Sequence, residues 1–274
     1  MFGNLNNAKE LVQREVYANQ LATEKSIVTE VEYAGLSEKI KSDNFLNKFI
    51  DHLLLLFPFE KKYFNGVVKN SFVGHPFFDF SVFKINEIKQ SNNKKYFTLC
   101  PGSRNSELKI FMPIFIEVMR KINLNSNFIF HFPTIENNKN LITNYLQKSG
   151  ISNFIITTTE SDKNFYIQNS ILSVSKSGTI TLDICKNKCP LIVVYKTSWL
   201  NYLLIKPFIK TKFGNILNII AQKEIIPELI QEKCNSDFIY KKVKEFIDDE
   251  SLGNEAVAQY TKILETIIVP DSLD

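Results

Sequence analysis

The sequence predicts a doubly wound α/β domain built on a parallel sheet, and three observations carry that expectation. From Lys95 onward, short runs of β-branched and aromatic residues alternate with segments of helical apolar spacing. Twice such a run ends in a glycine-containing turn that opens directly into a helix, at Leu99-Cys100-Pro101-Gly102-Ser103-Arg104 and at Lys176-Ser177-Gly178-Thr179. The composition is ordinary for a globular protein: of 274 residues, 44% are hydrophobic and 23% charged, enough to bury a full core and too apolar for disorder.

The elements follow in order. Residues 1–40 read as helical and amphipathic, with no strand. Asp51–Phe57 reads as a strand running into the turn Pro58-Phe59-Glu60, and Ser71–Pro76 as a second strand ending in a Gly/Pro turn. A polar stretch, Gln90–Lys95, places a domain junction within 80–94 and divides the chain into 1–43, 44–85 and 86–274. Strands are then expected at 95–100, 128–132, 154–158, 171–175 and 191–195, and helices at 106–122, 136–149, 178–187 and 237–247. Asn105 or Ser106 is the expected cap of the first of these helices. Such sheets bind ligands beyond the carboxyl ends of their strands, so the loops after 100, 132, 158, 175 and 195 should converge on one crevice.

Charge and side-chain inventory exclude several functions. A net charge of +4, from 33 basic and 29 acidic residues, is too slight to argue for a nucleic-acid partner. Cys100, Cys185, Cys189 and Cys234 fit reduced thiols, and His52, His75 and His131 form no spaced cluster, so neither a metal nor a cofactor is expected. No Asp-x-Asp pair stands at a strand end, so nucleotide binding should need no divalent ion. The first ten residues lack a signal-peptide pattern and no apolar run approaches the ~20 residues that span a bilayer, which makes the cytoplasm the expected location.

Both turns are candidate anion sites. Strand, glycine turn and helix start leave backbone N–H groups and the positive end of the helix dipole free for phosphate, and Arg104 adds a two-pronged donor. Arg104 serves equally well in a salt bridge with Glu107. At the second turn Ser177, Gly178 and Thr179 present small donors, although an ordinary N-cap reads the same way. Asp183, one turn further, can accept from ribose hydroxyls or simply complement the dipole. His75 fits a ligand contact or a turn-holding role, and His131 a substrate contact or a core edge. Tyr195–Lys212 mixes aromatics with lysines and holds the single tryptophan; it suits either an anionic membrane surface or a buried helix with snorkelling lysines.

Six blocks, in one order and spacing over residues 45–265, resemble the lipid-A-disaccharide synthase family. They are Phe57-Pro58-Phe59-Glu60, Phe72-Val73-Gly74-His75-Pro76, Pro101-Gly102-Ser103-Arg104 with Glu107, Ser177-Gly178-Thr179-x-Thr181-Leu182-Asp183, Cys189–Tyr195, and Asn218-Ile219-Ile220-Ala221 with Pro227–Gln231. The resemblance implies a B-type inverting glycosyltransferase of two Rossmann-like halves, with 86–274 the nucleotide-sugar-binding half and 44–85 part of the acceptor-binding half. It would join UDP-2,3-diacylglucosamine to 2,3-diacylglucosamine 1-phosphate, giving the β-1,6 lipid A disaccharide and UDP, as a peripheral protein of the inner membrane. It places Gly102, Ser103, Arg104, Ser177, Gly178, Thr179, Asp183 and Asn218 at the donor, with Arg104 near the phosphates.

The departures matter for activity. Leu217 stands where the family has proline, Gln222 where it has glycine, and Asp183 where it has glutamate. The family's opening Gly-Glu-x-Ser-Gly-Asp segment and its acceptor-side aspartate motif, thought to carry the general base, have no counterpart in this chain, so no catalytic base is assigned. Two functions remain open: a glycosyltransferase, completed by a chain that supplies the acceptor half, and a non-catalytic remnant that binds UDP or UDP-sugar. A related nucleotide-sugar epimerase is disfavoured by the Asn218 block and the basic aromatic segment.

Overall fold

The structure, a computed structural model, describes residues 51–73, 95–123, 128–197 and 213–267. The expected helices of 1–40, the His75 turn, the junction at 80–94 and the Trp199 region lie outside these residues. A two-stranded parallel sheet pairs β1 (Leu53–Leu55) with β2 (Asn70–Phe72), and the short helix α1 (Lys61–Phe64) lies between them in sequence. The first strand is shorter than its apolar run because the Glu60 carboxylate accepts hydrogen bonds from the amides of Leu56 at 2.7 Å and Phe57 at 2.8 Å, which turns the chain.

The main sheet has six strands in the order β5-β4-β3-β6-β7-β8, all parallel. These are β3 (Lys95–Cys100), β4 (Phe128–Pro133), β5 (Phe154–Thr157), β6 (Ser170–Lys176), β7 (Leu191–Tyr195) and β8 (Glu228–Ile230). The helices are α2 (Asn105–Asn123), α3 (Glu136–Lys148), α4 (Glu160–Gln168), α5 (Ile180–Lys186), α6 (Ile216–Ala221), α7 (Ser236–Asp248) and α8 (Glu250–Ile267). Alternate strand residues point to opposite faces. Phe97, Leu99, Phe130, Val174 and Val194 therefore meet Leu108, Phe115, Ile142 and Val243 of α2, α3 and α7 in one core. Cys100, Leu191 and Val193 meet Leu182, Leu217, Tyr260 and Leu264 of α5, α6 and α8 in the other. This is the doubly wound fold that the alternation predicts.

Besides the single turn α1, four elements are additions to the sequence reading: α4, α6, β8 and α8. The first is polar along most of its length, and its start is marked by Thr159, whose hydroxyl accepts from the Asp162 amide at 3.2 Å. All four cysteines are buried free thiols. Burial pushes the Cys100 and Cys189 thiols up to about 12 and Cys234 up to about 11, so they stay protonated and inert at neutral pH. His131 is a core residue, with no exposed surface and both ring nitrogens engaged by Thr98 at 2.9 Å and Thr157 at 2.8 Å. That removes the substrate-contact reading of this histidine.

Candidate functional site

The strand order fixes where a ligand can sit. From β3 the chain winds outward through β4 and β5, then returns across the sheet to β6 and winds the other way. The reversal opens a crevice between β3 and β6. There Cys100 pairs with Ser175, so the turn Pro101–Arg104 and the segment Lys176–Thr179 leave adjacent strand ends side by side. The two predicted anion turns thus belong to one site.

Glu107, in the first turn of α2, organises it. Its Oε2 accepts from the amides of Ser103 at 2.9 Å and Arg104 at 3.3 Å, while its Oε1 lies 2.9 Å from Lys176 Nζ and 3.7 Å from Arg104 Nη1. Burial raises the carboxyl pKa, but the Lys176 ammonium and the turn amides outweigh it and hold Glu107 below the usual carboxylate range. One carboxylate therefore gathers two cations at the mouth of the crevice, with Arg104 the more exposed at 40% of its side chain against 18% for Lys176. The salt bridge with Glu107 forms, and at 3.7 Å on a partly exposed guanidinium it does not use all of the Arg104 donors. Gly102 is required by the same carboxylate: its φ is +109°, and a Cβ there would stand 2.2 Å from Glu107 Oε2.

The second turn contributes differently from the expectation. Gly178 has open space where a Cβ would stand, with only Lys176 Nζ at 4.0 Å, and Thr179 is exposed. Ser177 is buried; its amide donates to the Val194 carbonyl at 2.9 Å and its hydroxyl to the Gly214 carbonyl at 3.1 Å, so it anchors the 213–215 loop. Asp183 faces α4, where its Oδ2 lies 2.8 Å from Lys163 Nζ. Both side chains are largely buried, and although desolvation lowers the Lys163 pKa, Asp183 and Glu160 more than restore it. That ion pair ties α5 to α4.

Asn218 is engaged within the fold as well. It is fully buried; Nδ2 donates to the Ile226 carbonyl and the Glu228 carboxylate, and Oδ1 accepts from the amides of Ile225 and Ile226. Its hydrogen-bonding capacity is spent on the 222–228 loop, which explains the need for asparagine there without a ligand contact. Glu228 completes the arrangement by accepting from Gly214 and Asn215 amides. Burial keeps its pKa raised despite those three donors.

A family model described as lipid-A-disaccharide synthetase matches residues 38–268. The chain belongs to the lipid-A-disaccharide synthase family. It is 30% identical over 236 residues to the lipid-A-disaccharide synthase of Rickettsia prowazekii, covering 83% of this chain and 62% of that protein. It is 34% identical over 225 residues to that of a Sulfurihydrogenibium species, covering 74% and 57%. The chain thus spans about three fifths of the length of these curated relatives. Among solved structures, a mutant of S. aureus TarM in complex with fondaparinux, alpha-GlcNAc-glycerol and UDP shares the fold, with a TM-score of 0.54 at 14% identity over 83% of this chain and 43% of that one.

Within that family frame the residues missed in the sequence become visible. Lys176 precedes the Ser-Gly-Thr block, and the adjacency of parallel strand ends is the signal that would have paired it with Glu107. Lys163 sits in α4, an element that the sequence reading lacks, so nothing could link it to Asp183. Among the described residues no group of three His, Cys, Asp or Glu side chains is placed to hold a metal ion.

Proposed function

We propose that this chain is the donor-binding part of a lipid-A-disaccharide synthase, which transfers diacylglucosamine from UDP-2,3-diacylglucosamine to 2,3-diacylglucosamine 1-phosphate. The observation that carries the reading is the Arg104–Glu107–Lys176 cluster at the β3/β6 reversal point, where two cations await one diphosphate. Arg104 and Lys176 would neutralise the charge that develops on the departing UDP, with open space at Gly178 for the phosphates to approach. Calorimetric titration tests the donor half: Arg104→Ala is expected to weaken UDP binding by about 1.5–3 kcal/mol, the loss of a charge-assisted contact. Equal affinities would reject the assignment.

The acceptor side is proposed to come from elsewhere. A complementing chain with the Gly-Glu-x-Ser-Gly-Asp segment would position the acceptor and supply its base, and an anionic membrane surface would meet Tyr195–Lys212, where both acylated substrates reside. This reading expects the 274-residue chain alone to form disaccharide at no more than a trace rate, because loss of a general base lowers rate by about 10²–10⁴ and loss of acceptor positioning lowers it further. A thin-layer assay with radiolabelled acceptor decides the point, and robust product from this chain alone would mean that it carries a working acceptor site.

A further inference from the structure

Among the described residues, two buried side-chain polar atoms have no hydrogen-bond partner: Thr134 Oγ1 and Gln231 Nε2. Their positions are telling. Thr134 is the first residue beyond β4, which ends at Pro133, and Gln231 the first beyond β8, which ends at Ile230. Both orphaned groups therefore lie along the carboxyl edge of one parallel sheet, the edge on which such sheets bind ligands.

Gln231 carries a second anomaly. Three of the described non-glycine residues have left-handed backbone, Lys188, Gln222 and Gln231, at φ of +54°, +55° and +53°. The first two follow the ends of α5 and α6, where a left-handed residue is the ordinary way to stop a helix. Gln231 follows a strand and opens the short 3-10 turn Gln231–Lys233, so no helix C-terminus explains it. The residue is only 7% exposed, and Oε1 accepts from the Thr197 amide at 3.1 Å, which locks the orientation of the amide and leaves Nε2 fixed and unsatisfied. The nearby ammonium of Lys196 already donates to the Cys234 carbonyl at 3.3 Å.

Strand spacing sets the scale. At ~4.8 Å per strand, Thr134 and Gln231 stand ~7 Å and ~12 Å to either side of the β3/β6 gap that holds Arg104 and Lys176. A nucleoside diphosphate hexose with its diphosphate at that gap extends in both directions over distances of that order. We infer that Gln231 donates from Nε2 to a neutral oxygen, carbonyl or hydroxyl, at the nucleoside or hexose end of the donor. It is a specificity-determining residue of the site, and the inference rests on the donor-binding reading above. A neutral amide clear of the cation pair suits such an oxygen better than a phosphate, and the Thr134 hydroxyl would serve the opposite end.

Two variants separate this contact from a structural role. Gln231→Met removes the donor at similar length, and Gln231→Glu, studied at pH 8.5, removes it while keeping the acceptor for Thr197. Binding of UDP-N-acetylglucosamine, UDP and inorganic pyrophosphate is measured for each, pyrophosphate by competition with UDP. The expected result is a loss of at least tenfold for UDP-N-acetylglucosamine in both variants, with pyrophosphate unchanged. Parallel loss for UDP assigns the oxygen to the nucleoside, and retention of UDP assigns it to the hexose. Unchanged UDP-N-acetylglucosamine binding, or pyrophosphate weakened by the same factor, overturns the inference while leaving the donor site standing. Wild-type protein that binds neither nucleotide overturns both.

Discussion

Gly102→Ala is expected to weaken UDP binding by roughly 2–4 kcal/mol, about 30-fold to 1,000-fold, while leaving the domain folded. Two effects combine. At φ of +109° an L side chain is strained, which costs about 1–2 kcal/mol of fold stability with or without ligand. The larger effect is displacement: the new Cβ would lie 2.2 Å from Glu107 Oε2 and 2.8 Å from its Cβ, so the carboxylate must leave the turn. With it go the hydrogen bonds from the Ser103 and Arg104 amides and the ion pair that holds Lys176 beside Arg104. Gly66→Ala is the control, since Gly66 has φ of +75° but nothing within 4 Å of a Cβ and so incurs backbone strain alone. Calorimetry on the two variants should show the UDP loss only at Gly102. A folded Gly102→Ala protein with wild-type affinity would show that Glu107 does not organise the site.

That dependence on one carboxylate explains how much of the site the sequence could reveal. Lys95–Cys100 and Leu191–Tyr195 are legible as strands to the residue, because each is a short apolar run bounded by polar or turn residues and buried on both faces. The turn at Pro101–Arg104 is legible for the same reason. What cannot be read from local pattern is which side chains a turn has already engaged. Asn218 and Asp183 look like ligand contacts in sequence, yet their partners, Ile225, Ile226, Glu228 and Lys163, are supplied by loops and helices whose placement only the fold decides. Gln231 shows the converse. Nothing in Pro227–Gln231 marks its amide as unsatisfied, because that property belongs to the burial of the site and to the left-handed turn after β8.

His131 gives the last expectation, an acid sensitivity written into the sheet itself. Its imidazole links four strands through a directed chain of hydrogen bonds. Ser170 Oγ donates to the Tyr166 carbonyl at 2.8 Å, so it must accept from Thr98 at 2.7 Å; Thr98 then accepts from His131 Nδ1, and Nε2 accepts from Thr157. Every hydroxyl is satisfied only if the ring is neutral with its proton on Nδ1. Burial pushes the imidazole pKa down from 6.5 to about 3. Above pH ~6.5 folded and unfolded rings are both neutral and the site contributes no pH dependence. Below it the unfolded chain takes up a proton that the folded chain refuses, so stability falls by about 1.4 kcal/mol per pH unit until the folded value is reached. His131→Gln supplies one acceptor and one donor without a titrating group. Urea unfolding at pH 7.5 and pH 4.5 should therefore show wild type losing about 3 kcal/mol more than the variant, since the carboxylates common to both cancel in the difference. Equal losses in the two proteins would mean that His131 titrates in the folded state much as it does in the unfolded chain.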